Sequence, residues 1–299
     1  MAQLLLGREV AAAMTARLRD RAAALREKGI VPGLAVIRCG EAPSDMAYER
    51  GAAARAESIG AEVKRCLLPE DVTKEALLAQ IDALNRDDSV HGVLMFRPLP
   101  RHLRGDAAEI CNALSPAKDV DCMTDLSNAG IYLGRRDLGF PPCTPRACME
   151  ILDHSGIDPD GKRAVVIGRS LVVGRPLAMM LMSRHATVTI CHTHTRDLPA
   201  VARDADILVS AAGVPGSLTD ECVRPGQTVV DVSINWDPDG INEKGSRGRI
   251  VGDAVFEAVE PIVSAITPVP GGVGAVTTSV LLAHVIEAAE RRLKAPGKS

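Results

Sequence analysis

Two glycines bracket a turn that could hold a phosphate. The apolar run Arg163-Ala164-Val165-Val166-Ile167 leads into Gly168-Arg169-Ser170-Leu171-Val172-Val173-Gly174-Arg175-Pro176-Leu177. Pro176 suits the first turn of a helix, and the glycines let backbone N–H groups approach a phosphate at the positive end of that helix. The spacing is not G-x-G-x-x-G, and a tight strand-to-helix turn with no ligand would read the same way locally. His192-Thr193-His194-Thr195 follows the next apolar run, where the ribose of a dinucleotide lies in such folds. No third ligand accompanies the two histidines, so the segment reads as a hydrogen-bonding loop and no metal site is expected. No acidic residue ends that strand to take a ribose 2′-hydroxyl, whereas Arg169 and Thr193 are available for a 2′-phosphate. That favours NADP over NAD.

The elements that must position these groups alternate along the chain. Gly33 to Arg38, Ala61 to Leu68 and Val90 to Met95 read as strands, with helices between them over Ser44 to Ser58 and Thr73 to Asn85. Thr73 caps the second helix, and Leu77, Leu78, Ile81 and Leu84 share one of its faces. An earlier helix, Gly7 to Lys28, carries Val10, Met14, Leu18, Ala22 and Leu25 as its inward stripe. A second series places strands at Arg163 to Ile167, Ala186 to Ile190, Ile207 to Ser210 and Thr228 to Val232. These are nearly continuous apolar runs, as expected of parallel strands covered on both faces. The stretch Gly139-Phe140-Pro141-Pro142-Cys143-Thr144-Pro145 marks the crossing between two domains, and an apolar helix near Thr277 to Ala289 closes the chain.

Composition excludes several function classes. The 299 residues suffice for two cores, and 35 Lys plus Arg against 38 Asp plus Glu give a net charge of −3. That balance gives no electrostatic reason to bind nucleic acid or an anionic membrane, and six aromatic residues supply few stacking platforms for bases. No run of eighteen apolar residues and no secretory leader is evident, so no membrane span is expected. The eight cysteines are scattered without a C-x-x-C pair, and they read as reduced, mostly buried thiols of a cytoplasmic protein. Cys143 and Cys191 have no evident base partner and read as structural.

Five longer segments occur in order: Pro116-Ala117-Lys118-Asp119-Val120-Asp121, Pro142-Cys143-Thr144-Pro145, Val166 to Pro176, Asp231-Val232-Ser233-Ile234-Asn235, and Ile266-Thr267-Pro268-Val269-Pro270-Gly271-Gly272-Val273-Gly274. With them the chain resembles, over its whole length, the bifunctional methylenetetrahydrofolate dehydrogenase/methenyltetrahydrofolate cyclohydrolase family. The resemblance implies an α/β protein of two domains. An N-terminal α/β folate-binding domain would span 1–122 and be completed by a C-terminal helix over 275–299. A Rossmann-like dinucleotide-binding domain would span 140–274, with the active-site cleft between the two. It further implies an NADP-dependent enzyme of one-carbon metabolism, a folate derivative as substrate, and a homodimer. Carried over by position, Tyr48, Leu99, Asp121, Gly271 and Gly272 would meet substrate, with Asp121 hydrogen-bonding the pterin ring. Outside this motif an Asp in Asp-Val-Asp reads as a turn residue, and Gly271 to Gly274 as an ordinary loop. Gly168, Arg169, Ser170, Gly174, Thr193 and Ile234 would meet the cofactor.

The same alignment shows departures. The family's catalytic helix carries a tyrosine and, four residues on, a lysine; here these are Tyr48 and Ala52. The family's glutamine before Pro-Leu-Pro falls on Phe96, the serine three residues before the tyrosine is Asp45, and the glycine after Asp121 is Cys122. The Pro-Met expected after Gly274 is Ala275-Val276. Tyr48, Asp121 and Asp45 remain as the candidate catalytic groups. Hydride removal from the carbon between N5 and N10 requires alignment and no proton abstraction from carbon. Hydrolysis of the resulting cation requires proton movement, where a placed acid–base group contributes on the order of 10²–10⁴-fold. Ala52 cannot move a proton, so cyclohydrolase activity is expected to be weak or lost.

Asp45 shares a helix face with Tyr48. At about 6 Å and an effective dielectric of about 20, its carboxylate would favour a cation by roughly 3 kcal/mol; alternatively it caps the helix after Pro43-Ser44. Arg55 and Arg97 could restore positive charge, although arginine is a poor proton shuttle, and Phe96 reads as compensating apolar packing. Three functions follow in order: an NADP-dependent methylenetetrahydrofolate dehydrogenase with impaired hydrolysis, an oxidoreductase on the same scaffold with a diverged substrate, and a folate- or dinucleotide-binding protein without catalysis.

Overall fold

Short β-branched runs and amphipathic stretches alternate as the sequence predicts, and the computed structural model describes residues 1–241 and 245–294. In chain order the first elements are β1 (Gln3–Leu4), α1 (Gly7–Arg26), β2 (Gly33–Cys39), α2 (Pro43–Ile59), β3 (Glu62–Leu68), α3 (Lys74–Arg86) and β4 (Gly92–Met95). Then follow α4 (Ala107–Asn112), α5 (Asp125–Leu133), α6 (Cys143–His154), β5 (Arg163–Ile167), α7 (Gly174–Met182), β6 (Thr187–Cys191), α8 (Leu198–Arg203) and β7 (Ile207–Ser210). The last are β8 (Thr228–Asp231), β9 (Asn235–Ile241), β10 (Arg247–Val251), α9 (Phe256–Val259), β11 (Ala265–Ile266) and α10 (Thr277–Lys294). The expected C-terminal helix over 275–299 ends, among the described residues, at Lys294; residues 295–299 lie outside them.

Two compact units emerge: Met1–Ala11 with Thr144–Thr277, and Ala12–Cys143 with Thr278–Ser299. The chain changes unit inside α1, α6 and α10. Placing β1 with the later sheet was not legible in the sequence, because two residues carry no periodicity.

The unit containing Ala12–Cys143 is built on a three-stranded parallel sheet ordered β3-β2-β4. Thr73 caps α3, its hydroxyl accepting the Ala76 N–H at 3.2 Å, and Leu77, Ile81 and Leu84 are buried under the sheet-side core with Ile37, Val93 and Met95. Leu78 is only partly buried. The stripe of α1 is buried as the spacing requires. On α10 the residues Val280, Leu281, Leu282, Val285, Ile286 and Ala289 are buried, which accounts for the apolar length of Val273–Lys294, the one described helical stretch long and apolar enough for a membrane span. Arg21 on α1 and Glu290 on α10 pair through two hydrogen bonds of 2.8 and 2.7 Å.

The other unit carries a six-stranded sheet ordered β1-β11-β8-β7-β5-β6, parallel throughout. The chain starts at β5, goes to β6 on one side and then to β7 on the other, so the order reverses at β5; loops after the carboxyl ends of β5 and β7 open beside each other. The strand β6 departs from the expectation of cover on both faces: it is an edge strand and mostly exposed. The antiparallel hairpin β9–β10 was not predicted, because its two faces are polar enough to read as loop. On it Trp236 is 64% exposed, its ring lying over Gly248, where a Cβ would come within 2.2 Å of the indole.

Two buried aspartates tie the carboxyl ends of β7 and β8. Asp253 accepts from the Ser210 and Ser233 hydroxyls at 2.9 and 2.7 Å and from the Ala212 and Val214 N–H groups at 2.8 Å. Asp231 accepts from the N–H groups of Ala254 at 2.8 Å and Asp253 at 3.1 Å. Burial pushes the Asp231 carboxyl up to about 6 in spite of the backbone donors that pull it down. Its folded value exceeds its ordinary 3.8, so the native state keeps a proton that the unfolded chain has already lost. Stability from this group is therefore full below about pH 4 and is lost as pH rises through about 6, a change of about 3 kcal/mol at about 1.4 kcal/mol per pH unit. Subtracting the urea unfolding free energies of Asp231→Asn from those of the native protein across that window should expose the slope; a flat difference would remove this assignment.

Candidate functional site

In the unit built on β2, β3 and β4, the strand order also reverses at the central strand, so α2 and the segment after β4 start from neighbouring strand ends. The Phe96 N–H extends the ladder by donating to the Ile37 carbonyl at 3.0 Å. This brings Phe96 edge-on against Tyr48 of α2, with ring centroids 5.9 Å apart and planes at 88°. Phe96 thus packs as expected of an apolar group, with Tyr48 as the neighbour it meets. Ala52, one turn beyond Tyr48, has no exposed surface. Asp45 lies in the first turn of α2, but it is not the cap: the N-cap is Ala42, without a side-chain bond, and Pro43 opens the helix. The Asp45 carboxylate receives the Ser44 hydroxyl at 3.2 Å.

The position of Tyr48 is fixed by a residue the sequence did not single out. Glu49 is buried and accepts Arg38 Nε of β2 at 3.0 Å and Arg65 Nε of β3 at 2.8 Å. Removing one partner of such a buried pair costs several kcal/mol, so this triad clamps α2 to the sheet at the turn bearing Tyr48. Arg55 is directed elsewhere, donating to Thr15 Oγ1 of α1 at 2.9 Å.

Asp121 reaches the same strand end because Asp119 forms a parallel bridge with Val93 of β4. The fully buried Asp119 accepts from the Met123 and Thr124 N–H groups at 2.8 Å each and from the Thr124 hydroxyl at 2.7 Å. These bonds hold Cys122 at φ 57, a left-handed conformation costing a non-glycine residue roughly 1 kcal/mol. That explains why the resemblance expects glycine there. Asp121 pairs with Arg97, whose Nη2 lies 3.5 Å from its Oδ2. Burial pushes the Asp121 carboxyl up, and Arg97 pulls it back. Burial raises the Cys143 and Cys191 thiols, in keeping with structural roles. Leu99 does not offer its side chain to a ligand: it is buried in the core, and its carbonyl receives Arg104 Nε at 3.1 Å.

In the unit with the larger sheet, the turn after β5 is a close-packed cradle. A Cβ on Gly168 would lie 2.3 Å from the Ala211 carbonyl oxygen, and one on Gly174 would lie 2.1 Å from the Gly168 carbonyl oxygen. Ser170 Oγ accepts from the Val173 and Gly174 N–H groups at 3.1 and 3.4 Å and shapes the turn, leaving Arg169 exposed. After β6, Thr193 is exposed, while His192 Nδ1 accepts the His194 N–H at 3.1 Å and Thr195 Oγ1 accepts the His192 N–H at 2.8 Å. The histidines thus organise a loop, and no group of metal-binding side chains occurs among the described residues. Ile234 is exposed and lies against Gly274, where a Cβ would approach it to 3.1 Å. Gly271 and Gly272 have a packing reason of their own. The Gly271 carbonyl accepts the Gly7 N–H at 2.8 Å, and a Cβ on Gly7 would meet the Gly272 carbonyl oxygen at 2.0 Å.

Comparison with known proteins accounts for this arrangement. Residues 5–121 match the family model of the tetrahydrofolate dehydrogenase/cyclohydrolase catalytic domain, and residues 142–293 match that of its NAD(P)-binding domain. The chain is 47% identical over 290 residues to the bifunctional protein FolD of Carboxydothermus hydrogenoformans, covering 97% of this chain and 98% of the relative. It is 44% identical over 292 residues to that of Moorella thermoacetica, covering 97% and 99%. Among solved structures, the bifunctional FolD of Campylobacter jejuni aligns with a TM-score of 0.90 at 40% identity, over 98% of this chain and all of that one. The Trypanosoma brucei enzyme, complexed with NADP cofactor and inhibitor, aligns with a TM-score of 0.90 at 36% identity, over 98% and 99%.

The Gly168 cradle can be tested directly. With φ at 126° and the Ala211 carbonyl in the way, Gly168→Ala should weaken NADP binding at least roughly tenfold, which is about 1.4 kcal/mol, while leaving the circular dichroism near native. Unchanged affinity in a fluorescence titration would take this turn out of the cofactor site.

Proposed function

We propose that this chain, which belongs to the tetrahydrofolate dehydrogenase/cyclohydrolase family, is an NADP-dependent 5,10-methylenetetrahydrofolate dehydrogenase whose cyclohydrolase activity is weak or lost. The observation that carries the second half is the surroundings of Tyr48. The residue one turn along its helix is a buried methyl, and the side chain after β4 is a phenyl edge set against the Tyr48 ring. By motif alignment these are the family's lysine and glutamine positions.

The Gly168–Gly174 turn is the place we assign to a dinucleotide: it lies within the match to the NAD(P)-binding domain, and the two missing Cβ atoms let it close tightly on the Ala211 and Gly168 carbonyls at the start of α7. Bound there, NADP supplies the acceptor for a hydride. The work of the chain is positional: Asp121 is the carboxylate for the pterin donors, Tyr48 lines the same strand end, and the Glu49 triad keeps α2 from shifting. Hydride departure leaves a carbon whose cation is stabilised by two nitrogen lone pairs of the folate itself, so no side chain has to take a proton from carbon. Opening of the oxidised ring differs, because water must lose a proton and nitrogen must gain one. Neither Ala52 nor Phe96 can carry it.

A second reading, an oxidoreductase on this scaffold with a diverged substrate, is favoured by the departures at Asp45, Ala52, Phe96 and Ala275. We further place the protein in the cytoplasm as a homodimer. Eight free thiols support the compartment, and sedimentation at twice 31.6 kDa is the outcome expected of the assembly.

Mixing purified protein with methylenetetrahydrofolate and NADP should generate absorbance from NADPH, while added methenyltetrahydrofolate should decay barely above its uncatalysed rate. Absence of NADPH would reject the dehydrogenase reading in favour of the diverged substrate. Ala52→Lys with Phe96→Gln should raise methenyl hydrolysis by on the order of 10²-fold. If the pair changes nothing while dehydrogenation persists, these positions do not face the reacting carbon.

A further inference from the structure

Among the described residues, Arg97 is the one cation paired with the candidate pterin carboxylate, and the pair is left open. Its 3.5 Å separation exceeds the 2.7–2.9 Å usual for a charge-assisted hydrogen bond. Asp121 is the only hydrogen-bonding partner found for Arg97 among the described residues. A guanidinium carries five N–H donors and a carboxylate about four lone-pair sites; Asp121 also accepts from the Cys143 N–H and thiol, so Arg97 keeps most of its donors and Asp121 part of its acceptor capacity. Both are also partly accessible, at 33% and 26% of their side-chain surface. Arg97 follows directly on Phe96, whose ring meets Tyr48, so this capacity is presented at the strand end that carries the candidate substrate residues.

We propose that Arg97 is a specificity-determining residue: together with Asp121 it forms a paired donor and acceptor edge for a cyclic amide, the N3–H and 4-oxo side of a pterin. The proposal rests on the folate reading above. A pterin presents its 2-amino and N3–H donors next to the 4-oxo acceptor. The carboxylate takes the donors and the guanidinium takes the carbonyl, so the contact between Arg97 and Asp121 aligns the two receptors instead of blocking one. A 4-amino pteridine fails the same edge, because it turns a donor toward the guanidinium and leaves a buried N–H unsatisfied. Arg97 therefore anchors the ring by a contact that requires no proton transfer, which suits a site whose remaining chemistry is hydride removal.

The test compares binding of folic acid and its 4-amino analogue by calorimetry, alongside dehydrogenase kinetics. The native protein should prefer the 4-oxo ligand, and Arg97→Leu should reduce that preference by roughly tenfold or more, raising KM for the folate while leaving KM for NADP unchanged. Arg97→Lys, which keeps a donor without the fork, should recover part of the preference. An unaltered 4-oxo to 4-amino ratio in Arg97→Leu, in protein that still oxidises the folate, overturns the proposal alone. Failure of the native protein to bind either pteridine overturns the folate reading and this one with it. Selective pteridine binding without turnover leaves Arg97 in its role and rejects only the dehydrogenase.

Discussion

A parallel sheet finishes every strand by sending the chain out at the same end, where backbone N–H groups have no ladder to donate into. In this protein buried carboxylates receive them. Asp253 takes the donors of the loop after β7, Asp231 at the end of β8 takes those of the segment after β10, and Asp119 does the same for the turn after Asp121. An acceptor of this kind is effective because each carboxyl takes several donors at once in a dry setting, and leaving those donors unmet would cost each one its desolvation. The loops that present ligand-binding groups are thus held from beneath. Ala211, which Gly168 approaches closely, opens the segment that Asp253 holds through Ala212 and Val214. Asp121 can stand at the end of β4 because Asp119 anchors the turn around it.

This scaffolding is separable from the chemistry it supports. The cradle after β5, the anchored Asp121 and the clamped α2 are all intact, yet two side chains beside Tyr48 are hydrocarbon. On the reading proposed above, such a site keeps what holding and aligning can accomplish and lacks a carrier for a mobile proton at these two positions. Arg55 does not repair the loss, being bound to Thr15, and Arg97 is turned to Asp121. The substituted positions are both engaged in packing, with the Phe96 ring against Tyr48 and Ala52 fully buried on α2.

Much of this was legible in the residues. Strands such as β5 and β7 are nearly continuous apolar runs and are almost wholly buried, and α3 announces itself through Thr73 and a regular buried stripe. The phosphate turn was readable from two glycines and a proline. What was not legible involves partners far apart in sequence. Nothing local distinguishes Asp253 from a surface aspartate, and Glu49 becomes a clamp only when β2 and β3 bring Arg38 and Arg65 to it. Asp45 invited a capping role because its neighbours are Pro43 and Ser44, but the helix begins earlier and proline needs no donor of its own satisfied. Leu99 and the 271–272 glycines carried family roles by position, and their own surroundings add a core side chain and a tight backbone crossing at Gly7.

The hairpin formed by β9 and β10 holds the only tryptophan of the chain, and that indole stands largely in water, over Gly248 and two residues from Ile234. Its emission is therefore already that of a hydrated ring in the native state and has little further to shift when the chain melts. Tryptophan fluorescence of this protein is a local gauge of one ribbon, sensitive to whatever settles beside Ile234 and nearly blind to the integrity of either core.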